Sequence, residues 1–113
     1  MIVYFFVAIL SKTTLAKIWS SHTTGLVDED GLKVEYGFGW FIGSTQLEMP
    51  FPLNHRHFLW HSGGLSGVTT WLAVWPEEEI VGVVLSNKGN TKNLGQAVLY
   101  AMENLYPMIK SKL

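Results

Sequence analysis

The residues with the clearest chemical potential lie together in Leu59-Trp60-His61-Ser62-Gly63-Gly64-Leu65-Ser66-Gly67. An imidazole and a hydroxyl are followed at once by backbone stripped of side chains. Glycine inside a strand costs packing and conformational entropy, so its presence there often marks a close approach to the backbone. Such a segment can orient an acyl group, with His61 and Ser62 to hold it and glycine N–H groups to polarise its carbonyl. The plainer alternative is a tight turn between two strands that follows a histidine.

A second constellation is a set of imidazoles. If His55-Arg56-His57-Phe58-Leu59-Trp60-His61 is extended throughout, His55, His57 and His61 point to one side, as zinc binding would require. No Asp or Glu stands nearby in sequence to orient such ligands, so exposed loop histidines are the favoured reading. No metal and no cofactor is therefore expected. Gly64-Leu65-Ser66-Gly67 is one residue short of a Gly-x-Ser-x-Gly elbow. His61 and Ser62 are strand neighbours whose side chains diverge, which removes them as a base–nucleophile pair. Gly37 and Gly39 lack the third glycine and the following helix of a dinucleotide fingerprint. Glu77, Glu78 and Glu79 read as a solvated turn.

The elements that must position these residues follow from periodicity. Val68–Trp75 and Ile80–Leu85 are the strongest strands, apolar on both faces and so covered on both sides. Pro76-Glu77-Glu78-Glu79 joins them as a hairpin, which makes the pair antiparallel. Val34–Gly43 reads as a strand with Tyr36, Phe38, Trp40 and Ile42 on one face and Gly37, Gly39 and Phe41 on the other. Ser86-Asn87-Lys88-Gly89-Asn90 closes the sheet. A helix is expected from about Lys92 to Tyr106, with Leu94, Val98, Ala101, Met102, Leu105 and Ile109 as its apolar stripe. Asn93 with Gln96 resembles a capping box, and Pro107 sets the stop. A short helix after Ser11 presents Leu15, Ile18 and Trp19, with Ser11 as N-cap. Ser20–Lys33 and Ser44–Asn54 read as loops.

With 113 residues the chain is one domain or part of one. Its 48% apolar and 15% charged content argues for a globular protein and against disorder. A net charge of −1 leaves no electrostatic footprint for nucleic acid. The absence of cysteine excludes disulfides, thiolate catalysis and thiolate metal sites. Met1–Leu10 is apolar without a break, yet only about half as long as a membrane-spanning helix. No basic residue precedes it, as a secretory signal would require. It reads as the start of a buried helix or strand, or as an artefact of truncation.

The order of these segments resembles one family. Tyr36-Gly37-Phe38-Gly39-Trp40, a loop, His61-Ser62-Gly63-Gly64, then two apolar strands ending in Ser86-Asn87-Lys88 are similar to the C-terminal part of the serine β-lactamase and penicillin-binding-protein superfamily. The nearest flavour is its class C-like group, with its esterases and the mitochondrial β-lactamase-like protein of animals. The resemblance runs from about Leu10 to Tyr106. It implies that His61 stands where the family's third motif carries Lys or His, lining the site and holding the substrate's carboxylate or polar end. Ser62 would be that motif's hydroxyl and Gly63 its small residue, against which substrate lies. Gly64 would supply, through its backbone N–H, half of an oxyanion hole. Histidine at His61, where the lactamases themselves usually have lysine, argues against β-lactam hydrolysis in particular.

The family's Ser-x-x-Lys nucleophile and its Tyr-x-Asn or Tyr-x-Ser partner do not occur in these residues. Thr14-Leu15-Ala16-Lys17 is the nearest string to the first. Tyr4, Tyr36, Tyr100 and Tyr106 are followed at two residues by Phe6, Phe38, Met102 and Met108, so none completes the second. Both motifs lie upstream in the family. The expected fold is α+β, an antiparallel sheet with the C-terminal helix on one face and the other face left for a helical region, over-exposing apolar surface there. Residues 1–113 are then the C-terminal fragment of a single β-lactamase-related domain, with 1–10 not necessarily part of it. The expected function is a fragment of a serine hydrolase that cleaves an amide or ester, or a peptide, through an acyl-enzyme. It would supply the substrate strand and an oxyanion donor and be inactive alone. The rivals are a non-catalytic scaffold that self-associates through its exposed sheet face, and a zinc-binding module on His55, His57 and His61. Expected partners are a small-molecule or peptide substrate of the full-length protein, with no nucleic acid and no membrane span. The resemblance allows a mitochondrial, extracellular or periplasmic location.

Overall fold

In the computed structural model, which describes residues 9–43 and 57–112, the chain runs α1 (Lys12–Ile18), β1 (Phe41–Ile42), β2 (Leu59–Leu65), β3 (Val68–Trp75), β4 (Ile80–Ser86) and α2 (Leu94–Lys110). The four strands form one sheet in the order β1-β2-β3-β4, each antiparallel to the next. The fold is α+β, with the C-terminal helix packed on one sheet face. Ser66-Gly67 turns β2 into β3, and Gly67 takes the positive φ of 80° that this corner needs. Ser11 caps α1 from extended backbone, accepting the Thr14 N–H at 3.1 Å. The short helix buries Leu15, while Ile18 and Trp19 are half-buried.

Alternation along β2 and β3 builds the core. Phe58, Trp60, Trp71, Ala73 and Trp75 share one face and cluster with Val98, Leu99 and Met102 of α2. Phe58 stacks on Trp75, and Trp60 on Trp71, each with ring centroids 5.7 Å apart. Small residues seat the helix on these rings. A Cβ at Gly82 would overlap Val98, and one at Gly95 would come 2.8 Å from the Trp71 indole. Each large apolar side chain buried here contributes roughly 1.5–3 kcal/mol.

The opposite face is covered unevenly. At one end Leu59 and Val74 are buried, at 0% and 2% exposure. At the other end Leu65, Val68, Val83 and Leu85 are exposed. The expected excess of apolar surface is therefore confined to the half of that face nearest the β2–β3 turn.

Four local expectations are corrected. Val34–Gly43 is a tight reversal rather than one strand, because Gly39 takes a φ of 81° and Tyr36 bridges back to Phe41. Of the expected apolar stripe of α2, Val98 and Met102 are buried and Leu94 packs against the core, but Leu99 is buried in place of Ala101 and Leu105, which face solvent. The helix also runs through Pro107 to Lys110, with the Ser111 N–H reaching the Pro107 carbonyl at 3.1 Å. A proline forfeits its own hydrogen bond and crowds the preceding turn, but its φ is a helical one, so the chain can continue. The capping box does not form. Asn93 has a φ of 63°, whereas a capping side chain reaches the first amides from extended backbone.

Replacing a helical glycine by alanine ordinarily stabilises a protein by about 0.5–1 kcal/mol. Gly95→Ala is expected to do the opposite, costing about 1–2 kcal/mol, because the new methyl lands on the Trp71 indole. The urea midpoint of the variant measures this directly; a gain in stability would show that α2 does not sit as described.

Candidate functional site

The reversal at Tyr36-Gly37-Phe38-Gly39-Trp40 is held from two sides. Within it, Gly37 donates to the Trp40 carbonyl at 2.8 Å and Ile42 to the Glu35 carbonyl at 2.9 Å. From outside, the Tyr36 carbonyl accepts the His22 N–H at 2.8 Å, and the Tyr36 N–H reaches Thr23 Oγ1 at 3.2 Å. Gly37 lies so close to the Ile18 carbonyl that no Cβ fits there. These bonds fix Tyr36 beside β2. Its ring meets Phe41 edge-on at 4.7 Å and 73°, and Phe41 stacks on Trp60 at 4.5 Å and 20°.

Hydrogen-bond direction along β2 follows from one contact. Gly43 donates to the Phe58 carbonyl at 2.9 Å, so the backbone groups of Phe58 point toward β1. In an antiparallel ladder these groups alternate sides, so those of Trp60, Ser62 and Gly64 point the same way. Those of Leu59, His61, Gly63 and Leu65 point to β3, in register with Val74, Leu72, Thr70 and Val68. β1 covers β2 only at Leu59 and Trp60. Beyond them, among the described residues, no strand lies alongside. The Ser62 and Gly64 amides therefore face an open sheet edge.

The four residues singled out from the sequence lie along this edge and use it differently. The His61 ring places Nδ1 2.6 Å from the Ser62 carbonyl and Nε2 2.9 Å from the Tyr36 hydroxyl. Ser62 turns to the helix side, into an open cleft of about 480 Å³ that it lines with Thr69, Trp71, Thr91, Asn93 and Gln96. Gly63 is bare because a Cβ there would come 2.6 Å from Thr70 Oγ1. Gly64 is different: a Cβ would meet nothing nearer than the Val68 carbonyl at 4.0 Å. Among the described residues no close contact requires Gly64 to lack a side chain.

Of the proposed zinc ligands, His55 lies outside the described residues. His57 is exposed and precedes β2, whereas His61 is on it and is engaged by Tyr36. Among the described residues no three His, Asp or Glu side chains gather as a metal site. Tyr36 is the site residue that sequence reasoning left without a role. Its contact spans 25 positions, and the only hint was its place at the head of the glycine-rich reversal. Among the described residues no helix is long and apolar enough to cross a membrane.

Comparison with known proteins matches residues 3–104 to the profile of the family described as Beta-lactamase. Neither the curated proteins nor the solved structures yield a match.

The direction of the Gly64 amide is open to a paired substitution. Proline at Gly64 removes an outward N–H and leaves the ladder to β3 whole, whereas proline at Gly63 breaks a ladder bond to Thr70. Gly63→Pro is expected to be less stable than Gly64→Pro by at least about 1–3 kcal/mol, the cost of an orphaned backbone partner, to which the new Cβ against Thr70 Oγ1 adds. Equal urea midpoints, or the reverse order, would mean that the Gly64 amide points inward.

Proposed function

We propose, from the premise that this chain belongs to the β-lactamase family, that it forms the substrate-holding strand of a serine hydrolase acting on amides or esters through an acyl-enzyme. The observation that supports this most is the outward amide of Gly64, which among the described residues lies on an unpaired strand edge and clear of close contacts. An extended acyl or peptide ligand laid along Ser62–Gly64 adds as a further strand, held by main-chain bonds. Its carbonyl oxygen then meets the Gly64 N–H. A donor fixed before the reaction stabilises the negative charge that develops there, and losing one such donor typically slows acyl transfer about 10²–10³-fold.

The attacking hydroxyl is not among these residues, since no Ser-x-x-Lys occurs in them. In this reading it comes from sequence outside the 113 residues, and the chain supplies binding and one oxyanion donor only. A second reading has an observation of its own. The exposed Leu65, Val68, Val83 and Leu85 suit a non-catalytic relative that self-associates through the sheet face.

The chain alone is expected to show no time-dependent covalent labelling by a fluorescent penicillin or a fluorophosphonate, and labelling would overturn the proposal. A longer gene product carrying an upstream Ser-x-x-Lys is expected to label, and to label about a hundredfold more slowly as the Gly64→Pro variant. Failure of that product to label, together with concentration-dependent association, would favour the scaffold.

A further inference from the structure

We infer that Tyr36 is a positioning residue for His61, and that through the imidazole it covers the Ser62 carbonyl on the open edge of β2, beside the Gly64 amide. A carbonyl oxygen only accepts, so Nδ1, 2.6 Å from the Ser62 carbonyl, carries the ring proton. The neutral imidazole then has an acceptor at Nε2, and the Tyr36 O–H at 2.9 Å donates to it. Both ring nitrogens are engaged, and the two contacts select one tautomer. In the other tautomer the Nδ1 lone pair would face the lone pairs of the Ser62 oxygen.

The consequence lies on the edge itself. The outward carbonyl of Ser62 is next to the outward N–H of Gly64, since both belong to the same side of β2. Left bare, that oxygen would repel any negative oxygen drawn to the Gly64 amide. His61 caps it, and Tyr36 keeps the ring in the form that can cap. Neutral His61 thus holds no carboxylate directly, having no donor left to offer; it acts by removing an unfavourable dipole. Tyr36 can do this because its own backbone is tied to His22 and Thr23, and its ring rests edge-on against Phe41.

The use of this arrangement rests on the acyl-transfer reading, but the arrangement itself does not, and its test needs neither substrate nor nucleophile. Long-range ¹H–¹⁵N correlation spectra of the histidine-labelled chain, taken at about pH 8.5 where an ordinary imidazole is neutral, report which nitrogen is protonated. The His61 signals are assigned by their loss in His61→Gln. The expected pattern is a protonated Nδ1, with the Nε2-protonated form appearing in Tyr36→Phe while the β3 and β4 amides keep their shifts. An Nε2-protonated His61 in the unsubstituted chain, or a pattern unmoved by Tyr36→Phe, overturns the inference. Should the phenylalanine variant not fold, incorporating 3-fluorotyrosine makes the phenol a stronger donor, and the His61 Nε2 resonance must then move. An unmoved Nε2 resonance overturns the role of Tyr36. Failure of the labelling experiment leaves the tautomer unaffected, and the converse also holds.

Discussion

Register in β2 is the constraint on which the rest of the structure depends. Seven consecutive pairs, from Leu59↔Val74 to Leu65↔Val68, run without a bulge, so alternation is preserved along the whole strand. That one arrangement puts Trp60 under the helix, His61 against Tyr36, and the Gly64 amide on the outside. A slip of one residue would reverse all of these at once, because side chains and amides both alternate with a period of two. The aromatic face makes such a slip costly, since it would take Phe58 and Trp60 out of the cluster they form with α2 and the β3 rings.

The helix reinforces the register by shape. Gly82 and Gly95 leave room for Val98 and Trp71, so α2 lies close on the sheet at these two points. A sheet of larger side chains would hold the helix farther off and could let it slide. Among the described residues the other face has no such partner near the β2–β3 turn, and Leu65 and Leu85 are 81% and 75% exposed. Exposed apolar surface beside an unpaired strand edge is a liability for a protein standing alone, and both features are what a substrate or a neighbouring segment would cover.

Strands β3 and β4, their hairpin and the Ser11 cap were all legible in the residues, because each rests on local pattern or turn chemistry. The glycine-rich segment at Tyr36 was less so. Its alternating aromatics fit a strand, yet two glycines let the chain reverse, and only contacts from Ile18, His22 and Thr23 decide that it does. The stripe of α2 was legible in part. Leu94, Val98 and Met102 pack on the sheet as their spacing suggests, whereas the choice of Leu99 over Ala101 and Leu105 is made by the rings and the glycines that α2 meets. Pro107 was read as a stop although its backbone angle permits continuation.

Local residue choice by itself determined β3, β4 and the two helices, the antiparallel hairpin, and the segment in which an imidazole, a hydroxyl and bare backbone come together. It also carried the family, since motif order survives in the chain whatever its surroundings. Only the tertiary structure decided which way each amide of that segment points and which nitrogen of His61 is committed to which neighbour. Amide direction depends on the register with β1 and β3, and the imidazole depends on a phenol 25 positions away. Neither is a property of neighbouring residues, so no reading of neighbouring residues contains it.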